Sequence, residues 1–116
     1  ENQVRQQIAR TYLNQIKNPS IVLPPSNSID QDVWHLFVLR TSQRDKLRAY
    51  LSEAGIGTDV HYPIPPHQQK ALSHLNHLKL PITEKIHREV VSIPLNPTLQ
   101  ENEIEYIIDK INSFKG

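Results

Sequence analysis

The chain has 116 residues, of which 37% are hydrophobic and 22% charged, and its formal net charge is +1. This length suits one domain with a modest core, and the composition excludes wholesale disorder and shows no apolar run long enough to span a membrane. Lysines and arginines are scattered, so neither nucleic acid nor a membrane is an expected partner. The absence of cysteine excludes disulfides and zinc-cysteine sites, and it is compatible with a reducing, cytoplasmic setting.

The first predicted element is an amphipathic helix that ends near Asn18-Pro19, because proline disfavours helical geometry in the residue before it. Its apolar residues, at spacings of three and four, are Val4, Ile8, Tyr12, Leu13 and Ile16. Residues 20–32 have the composition of a loop, in which residues 21–23 could pair briefly as a strand. Residues 33–40, "VWHLFVLR", are apolar on both faces and predict a central strand.

A second helix is predicted with Ser42 as its N-cap and with Gly55 as the left-handed residue that ends it. Its apolar positions are Leu47, Tyr50, Leu51 and Ala54. Residues 56–62 then indicate a short strand, and residues 66–78 a helix with a proline in its first turn. Residues 82–89 indicate one more short helix, which leads into a strand at residues 90–93.

The last helix has two possible starts. Thr98 with Glu101 forms a capping box, whereas Gln100 as the cap would make Leu99 and Ile104 a hydrophobic staple. Either start buries the same face, which carries Ile104, Ile107, Ile108, Ile111 and Phe114.

The strands are too few and too short for a doubly wound sheet. We therefore predict an α+β fold, in which helices cover a small, mostly antiparallel sheet of about three strands. Residues 1–116 are expected to form a single domain. Because the chain begins at Glu1, contains no methionine and shows no signal-peptide pattern, we interpret it as a piece of a longer protein.

The sequence offers no convincing catalytic or metal-binding constellation. His74 and His77 would share a helix face, but a bare pair lacks the third ligand that a metal site needs, so no metal is predicted. No Gly-x-Ser-x-Gly turn is present, and three glycines in the whole chain are too few for the usual phosphate-binding loops.

The stretch "GTDVHYPIPPHQQ", residues 57–69, carries polar side chains where a strand leaves the sheet. Its prolines fix φ, so His61 and Tyr62 would be held with little conformational freedom. From the pattern alone, these two residues either serve the fold, with Tyr62 packed at the domain edge and His61 bonded to a nearby carbonyl, or contact a ligand. Residues 63–66 also satisfy a P-x-x-P pattern, which leaves a non-catalytic interaction module as an alternative.

Three long stretches together resemble one protein family. They are "VWHLFVLR", "RDKLRAYLSEAGIGTDVHYPIPPHQQKAL" and "LPITEKIHREVVSIPLNPTLQENEIEYIIDKIN", and the first helix, "VRQQIARTYLNQI", extends the match to nearly the whole chain. The sequence resembles the C-terminal part of the DegT/DnrJ/StrS sugar aminotransferases. The resemblance implies the small C-terminal domain of the aspartate-aminotransferase fold, with the large N-terminal domain absent from this chain.

The resemblance also implies a function for the longer protein. It would be an enzyme with pyridoxal phosphate as cofactor, a transaminase that moves an amino group from an amino acid, usually glutamate, to a keto group of a nucleotide-linked hexose. The Schiff-base lysine belongs to the missing domain, so the resemblance implies no catalytic residue in this chain and no activity of the chain alone. A cytoplasmic homodimer is expected.

The resemblance assigns the candidate site residues. "GTDVHYP" matches the family element whose histidine and tyrosine face the sugar nucleotide, which implies substrate contacts for His61 and Tyr62. The longer form "HYPIPPHQQ" resembles the branch that aminates thymidine-diphosphate-linked 3-keto-6-deoxyhexoses for polysaccharide or lipopolysaccharide sugars, and it implies an outer substrate contact for His67. A histidine at the start of a surface helix is the alternative interpretation of His67.

Overall fold

The computed structural model describes residues 2–25, 37–60 and 88–116. The helices and strands of this part are, in chain order, α1 (Asn2–Gln15), β1 (Phe37–Arg40), α2 (Arg44–Glu53), β2 (Val90–Ile93) and α3 (Glu101–Ser113). Helices packed on a small antiparallel sheet confirm the predicted α+β fold.

The sheet consists of β1 and β2, paired antiparallel from Phe37 opposite Ile93 to Arg40 opposite Val90. A single-residue bridge extends it on each side, since Val22 pairs with Arg40 and Asp59 pairs with Ser92. The segment around Val22, β1, β2 and the segment around Asp59 therefore lie side by side in that order. In the described residues the regular sheet has two strands instead of about three.

Proline limits each bridge in one direction. Continuing the antiparallel register of the Asp59 bridge would place Gly57 opposite Pro94, and continuing that of the Val22 bridge would place Pro24 opposite Val38. Proline has no N–H to donate to a ladder. Within the described residues, each flanking segment thus pairs with the sheet at one position.

The core lies between the sheet and the three helices. Its buried residues include Ile8, Tyr12 and Ile16 of α1, Phe37 and Leu39 of β1, Leu47 and Leu51 of α2, and Ile104, Ile107, Ile108 and Ile111 of α3. All four residues of β2 are buried, whereas β1 alternates between buried and half-buried positions. Val4 departs from the predicted stripe of α1, because its side chain is 38% exposed.

The predicted N-cap of α2 was wrong, and the structure decides between the two predicted starts of α3. Gln43, and not Ser42, is the N-cap of α2. The Thr41 hydroxyl accepts the Gln43 N–H at 3.1 Å, and this turn delays the start of the helix by one residue. Gln100 is the N-cap of α3, where its N–H donates to the Glu103 carboxylate at 2.8 Å.

Several predictions fall outside the described residues. They concern the helix at residues 66–78, the first half of the strand at 33–40, the end of the strand at 56–62, and most of the helix at 82–89, of which the described residues 88 and 89 are helical. None of the helices that the structure describes is both long and apolar enough to cross a membrane.

Candidate functional site

The predicted substrate-contacting residues His61, Tyr62 and His67 lie outside the described residues, as do the proline segment at residues 63–66 and the histidine pair His74 and His77. The structure does describe residues 55–60, which lead from α2 to His61 and are called here the lead-in segment. Three features fix its course: a turn, a bridge to β2 and an arginine of α2.

The turn is made by the first two residues of the lead-in segment. Gly55 has φ of +83°, a conformation that side chains disfavour, and its N–H donates to the Ser52 carbonyl at 3.0 Å. The Ile56 N–H donates to the Leu51 carbonyl at 2.8 Å, and the Ile56 side chain is buried. Gly55 thus ends α2 as predicted, and Ile56 fastens the returning chain to the core.

The bridge joins the lead-in segment to the central strand of the sheet. Asp59 N–H donates to the Ser92 carbonyl at 3.1 Å, and Ser92 N–H donates to the Asp59 carbonyl at 2.7 Å. The buried Ser92 hydroxyl donates to the same Asp59 carbonyl at 3.2 Å. The backbone is therefore bound to β2 two residues before His61.

Arg48 of α2 binds the lead-in segment from its other side. Its Nε donates to the Thr58 hydroxyl at 3.0 Å and its Nη2 to the Thr58 carbonyl at 3.3 Å. The planar guanidinium places these two donors in a fixed fork, so both bonds constrain the same residue. Arg48 and Asp59's bridge together hold two consecutive residues from opposite directions.

Tyr12 of α1 binds the residue that follows β2. Its hydroxyl donates to the Pro94 carbonyl at 2.6 Å, and its ring packs against Phe37 with the ring centroids 5.0 Å apart. Burial raises the pKa of the Tyr12 hydroxyl above its ordinary value of 10.0, because the ionised form would lose its hydration. The hydroxyl therefore stays protonated at neutral pH and keeps its proton for the bond to the Pro94 carbonyl.

The described residues do not suit pyridoxal phosphate. A lysine that forms a Schiff base is usually desolvated, whereas Lys17, Lys46 and Lys115 are exposed and Lys110 lies at the surface over the Tyr106 ring, 5.5 Å from its centroid. No group of three potential metal ligands occurs in the part of the chain that the structure covers. We therefore assign neither cofactor chemistry nor metal chemistry to these residues.

Sequence reasoning did not single out Arg48 or Thr58. Arg48 stands on the polar side of a predicted helix, where arginines are usually solvated, and the two residues are 10 positions apart. The one available signal was Gly55, because a chain that reverses after a helix brings the following residues alongside the last turns of that helix.

Comparison with known proteins relates this chain to one protein family. The sequence profile of the DegT/DnrJ/EryC1/StrS aminotransferase family matches residues 1–112. A relative from Aneurinibacillus thermoaerophilus, named dTDP-3-amino-3,6-dideoxy-alpha-D-galactopyranose transaminase, is 46% identical over 114 residues, which is 98% of this chain and 31% of that protein.

Solved structures agree. S. venezuelae DesV is 36% identical, with a TM-score of 0.77 over 96% of this chain and 31% of its own. NtdA from Bacillus subtilis, solved with bound cofactor PMP, is 32% identical, with a TM-score of 0.72 over 95% of this chain and 27% of its own. The chain thus spans about 30% of the length of such relatives. Since the family profile covers nearly all of it, the chain belongs to the DegT/DnrJ/EryC1/StrS aminotransferase family.

Proposed function

We propose that the chain is the C-terminal small domain of a pyridoxal-phosphate enzyme that transfers an amino group to a nucleotide-linked keto sugar. The observation that carries this proposal is the 46% identity, over 98% of the chain, to a relative named as a dTDP-amino-sugar transaminase. In this proposal glutamate is the amino donor, and a large N-terminal domain completes the enzyme.

The cofactor belongs, in this proposal, to the large domain. Pyridoxal phosphate supplies the electron sink for amino transfer when it is bound. The B. subtilis structure that resembles this chain holds the aminated form, PMP, which supports the cofactor assignment. The family resemblance assigns the Schiff-base lysine to the large domain, so we expect the 116-residue chain alone to be inactive.

His61, Tyr62 and His67 contact the sugar nucleotide in this proposal. A hexose presents hydroxyls and its diphosphate presents charge, and these groups match an imidazole donor and a phenol that both donates and accepts. Such contacts would orient the keto carbon toward the cofactor amine, where orientation contributes most of the rate. The hydrogen bonds of Thr58 and Asp59 support this role, because they fix the backbone just before His61.

The substrate class follows the named relative. We propose a thymidine-diphosphate-linked 3-keto-6-deoxyhexose, used for lipopolysaccharide or other polysaccharide sugars, and a cytoplasmic homodimer as the working enzyme. The motif "HYPIPPHQQ" and the similarity to the transaminase of A. thermoaerophilus support this choice.

An assay of the full-length parent tests the proposal. Purified enzyme loaded with pyridoxal phosphate should convert a dTDP-3-keto-6-deoxyhexose into the amino sugar with glutamate as donor, detected by mass spectrometry of the nucleotide sugar. A full-length parent without a pyridoxal-binding lysine, or one that transfers no amino group to any keto sugar nucleotide, contradicts the proposal.

Two substitutions test the site residues in the same enzyme. His61→Ala and Tyr62→Phe should raise KM for the sugar nucleotide about tenfold each, the effect of losing one hydrogen bond to a buried polar ligand. The absorbance of the bound cofactor should not change. Loss of that absorbance would show that the two residues serve the cofactor or the fold instead.

A further inference from the structure

The hydrogen-bond partner of Arg48 is a neutral residue and not a carboxylate. A surface arginine commonly pairs with a carboxylate, and Asp45 is one helical turn away. Asp45 instead accepts from Arg44 at 2.8 Å, while Arg48 directs two donors at the neutral Thr58. The full charge of the Arg48 guanidinium therefore strengthens its bonds to one residue of the lead-in segment.

The sheet cannot hold this part of the lead-in segment by itself. The register of the Asp59 bridge places Gly57 opposite Pro94, which has no N–H, so the ladder does not continue from Asp59 toward Gly57. Hydrogen bonds alternate in direction along an extended chain, so the Thr58 carbonyl is turned away from β2. The Arg48 guanidinium supplies the donor that a further strand would otherwise provide.

We propose that Arg48 is a positioning residue for substrate binding, which acts through Thr58 on His61 and Tyr62. Thr58 precedes His61 by three residues, a reach of about 10 Å along an extended chain. Thr58 is covalently joined to Asp59, whose bridge to Ser92 fixes the backbone two residues before His61, so a displacement of Thr58 disturbs that bridge and is passed on toward His61. This inference rests on the proposed contact role of His61 and Tyr62.

The decisive variants are Arg48→Lys and Thr58→Val in the full-length enzyme loaded with pyridoxal phosphate. Lysine keeps the charge but lacks the two-donor fork, and valine keeps the shape of threonine but lacks the hydroxyl acceptor. We expect Arg48→Lys to raise KM for the sugar nucleotide about tenfold and Thr58→Val about threefold, because small misplacements of binding groups are costly. KM for glutamate and the cofactor absorbance should stay unchanged.

Tyr106→Phe is the matched control for stability. The Tyr106 hydroxyl donates to the Ala54 carbonyl at 2.6 Å, beside the same turn, and not to Thr58. Its removal costs one hydrogen bond at the same corner and should leave KM for the sugar nucleotide within twofold of the parent value. An equal rise in KM for Tyr106→Phe and Arg48→Lys would show that Arg48 only stabilises the corner, and would overturn the proposal.

A double-mutant cycle separates failure of this inference from failure of the proposed function. If Arg48 acts through His61 and Tyr62, Arg48→Lys adds less than a twofold rise in KM to the variant that carries His61→Ala and Tyr62→Phe. An undiminished rise overturns the inference. If the His61 and Tyr62 substitutions leave KM unchanged, the contact role itself fails; if they raise it and Arg48→Lys does not, this inference alone fails. Should Arg48→Lys not fold, Thr58→Val decides by the same criteria.

Discussion

The two edges of the sheet use the same bridge but different supports. At one edge Val22 and Arg40 exchange hydrogen bonds of 2.7 and 3.0 Å, and at the other Asp59 and Ser92 exchange bonds of 3.1 and 2.7 Å. Asn18 supports the approach to Val22, with its side-chain Nδ2 donating to the carbonyls of Ile111 and Phe114 at 2.8 Å. Arg48 supports the approach to Asp59 from the half-exposed surface of α2.

The two supports contribute differently to the stability of the two edges, because one is buried and the other is half-exposed. Asn18 is 7% exposed, and it also accepts the Ser20 N–H at 2.9 Å, so its loss would strand polar groups away from water. Arg48 works at the surface, where water can replace it in part. The Val22 edge is thus held from the core, whereas the Asp59 edge is held from the surface, which suits the proposed role of His61 and Tyr62 as substrate contacts.

Removing part of the shared core should affect both edges alike and have the largest effect. Leu51 of α2 is fully buried, so Leu51→Ala should lower the free energy of unfolding by about 2 to 5 kcal/mol. Urea unfolding of the chain measures the loss, and amide hydrogen exchange at Val22 and Asp59 should accelerate together. Faster exchange at Asp59 alone would mean that the two edges do not share one cooperative core.

Removing the buried support should affect the Val22 edge first. Asn18→Ala leaves the Ile111 and Phe114 carbonyls without that donor and should cost about 2 kcal/mol in urea unfolding. Exchange at Val22 should accelerate more than exchange at Asp59. Asn112→Ala is the matched control, because this exposed asparagine also joins α1 to α3, through Gln15 and Lys17, and should cost less than about 1 kcal/mol. Equal losses for the two variants would contradict the distinction between the supports.

The local parts of this fold could be predicted from the sequence, and the long-range supports could not. The period of α2, its end at Gly55 and the buried face of α3 depend on residues within a few positions of each other. Asn18, by contrast, signals only a helix end before proline, because its partners are 93 and 96 residues away. The sequence did predict that residues 21–23 pair only briefly, but not that Gly57 would face Pro94 across the sheet.

The candidate site also has a part that the sequence predicted and a part that only the structure showed. Physical reasoning from the sequence showed only that prolines stiffen the chain after Tyr62, and the family resemblance supplied the roles of His61, Tyr62 and His67, which stay predictions. The lead-in segment added Arg48, whose partner Thr58 lies beyond a helix end and a turn. A pattern of hydrophobic spacing carries no information about such a polar contact.

A buried hydroxyl between the two edges should give a smaller, pH-dependent effect. Tyr12→Phe removes the bond to the Pro94 carbonyl and should cost about 1 kcal/mol near neutral pH. The pKa of Tyr12 is raised in the folded chain, so its contribution is complete below the unfolded value of 10.0 and is lost as pH rises above it. The difference in urea midpoint between the two proteins should therefore narrow above pH 10, and a constant difference would refute the role of burial.

The turn before the Asp59 edge should give an effect no larger than that of Tyr12→Phe, and confined to that edge. A Cβ on Gly55 would meet no atom within 4 Å, so Gly55→Ala tests backbone conformation alone, at φ of +83°. The cost should be about 1 kcal/mol, with faster amide exchange at Ile56 and Asp59 and little change at Val22. Gly57→Ala is the matched control, because that glycine also has open space but no left-handed φ, and alanine there should change stability by less than about 0.5 kcal/mol. If both variants lose the same stability, the turn owes its rigidity to something other than Gly55, and the Asp59 edge depends on the arginine and the bridge alone.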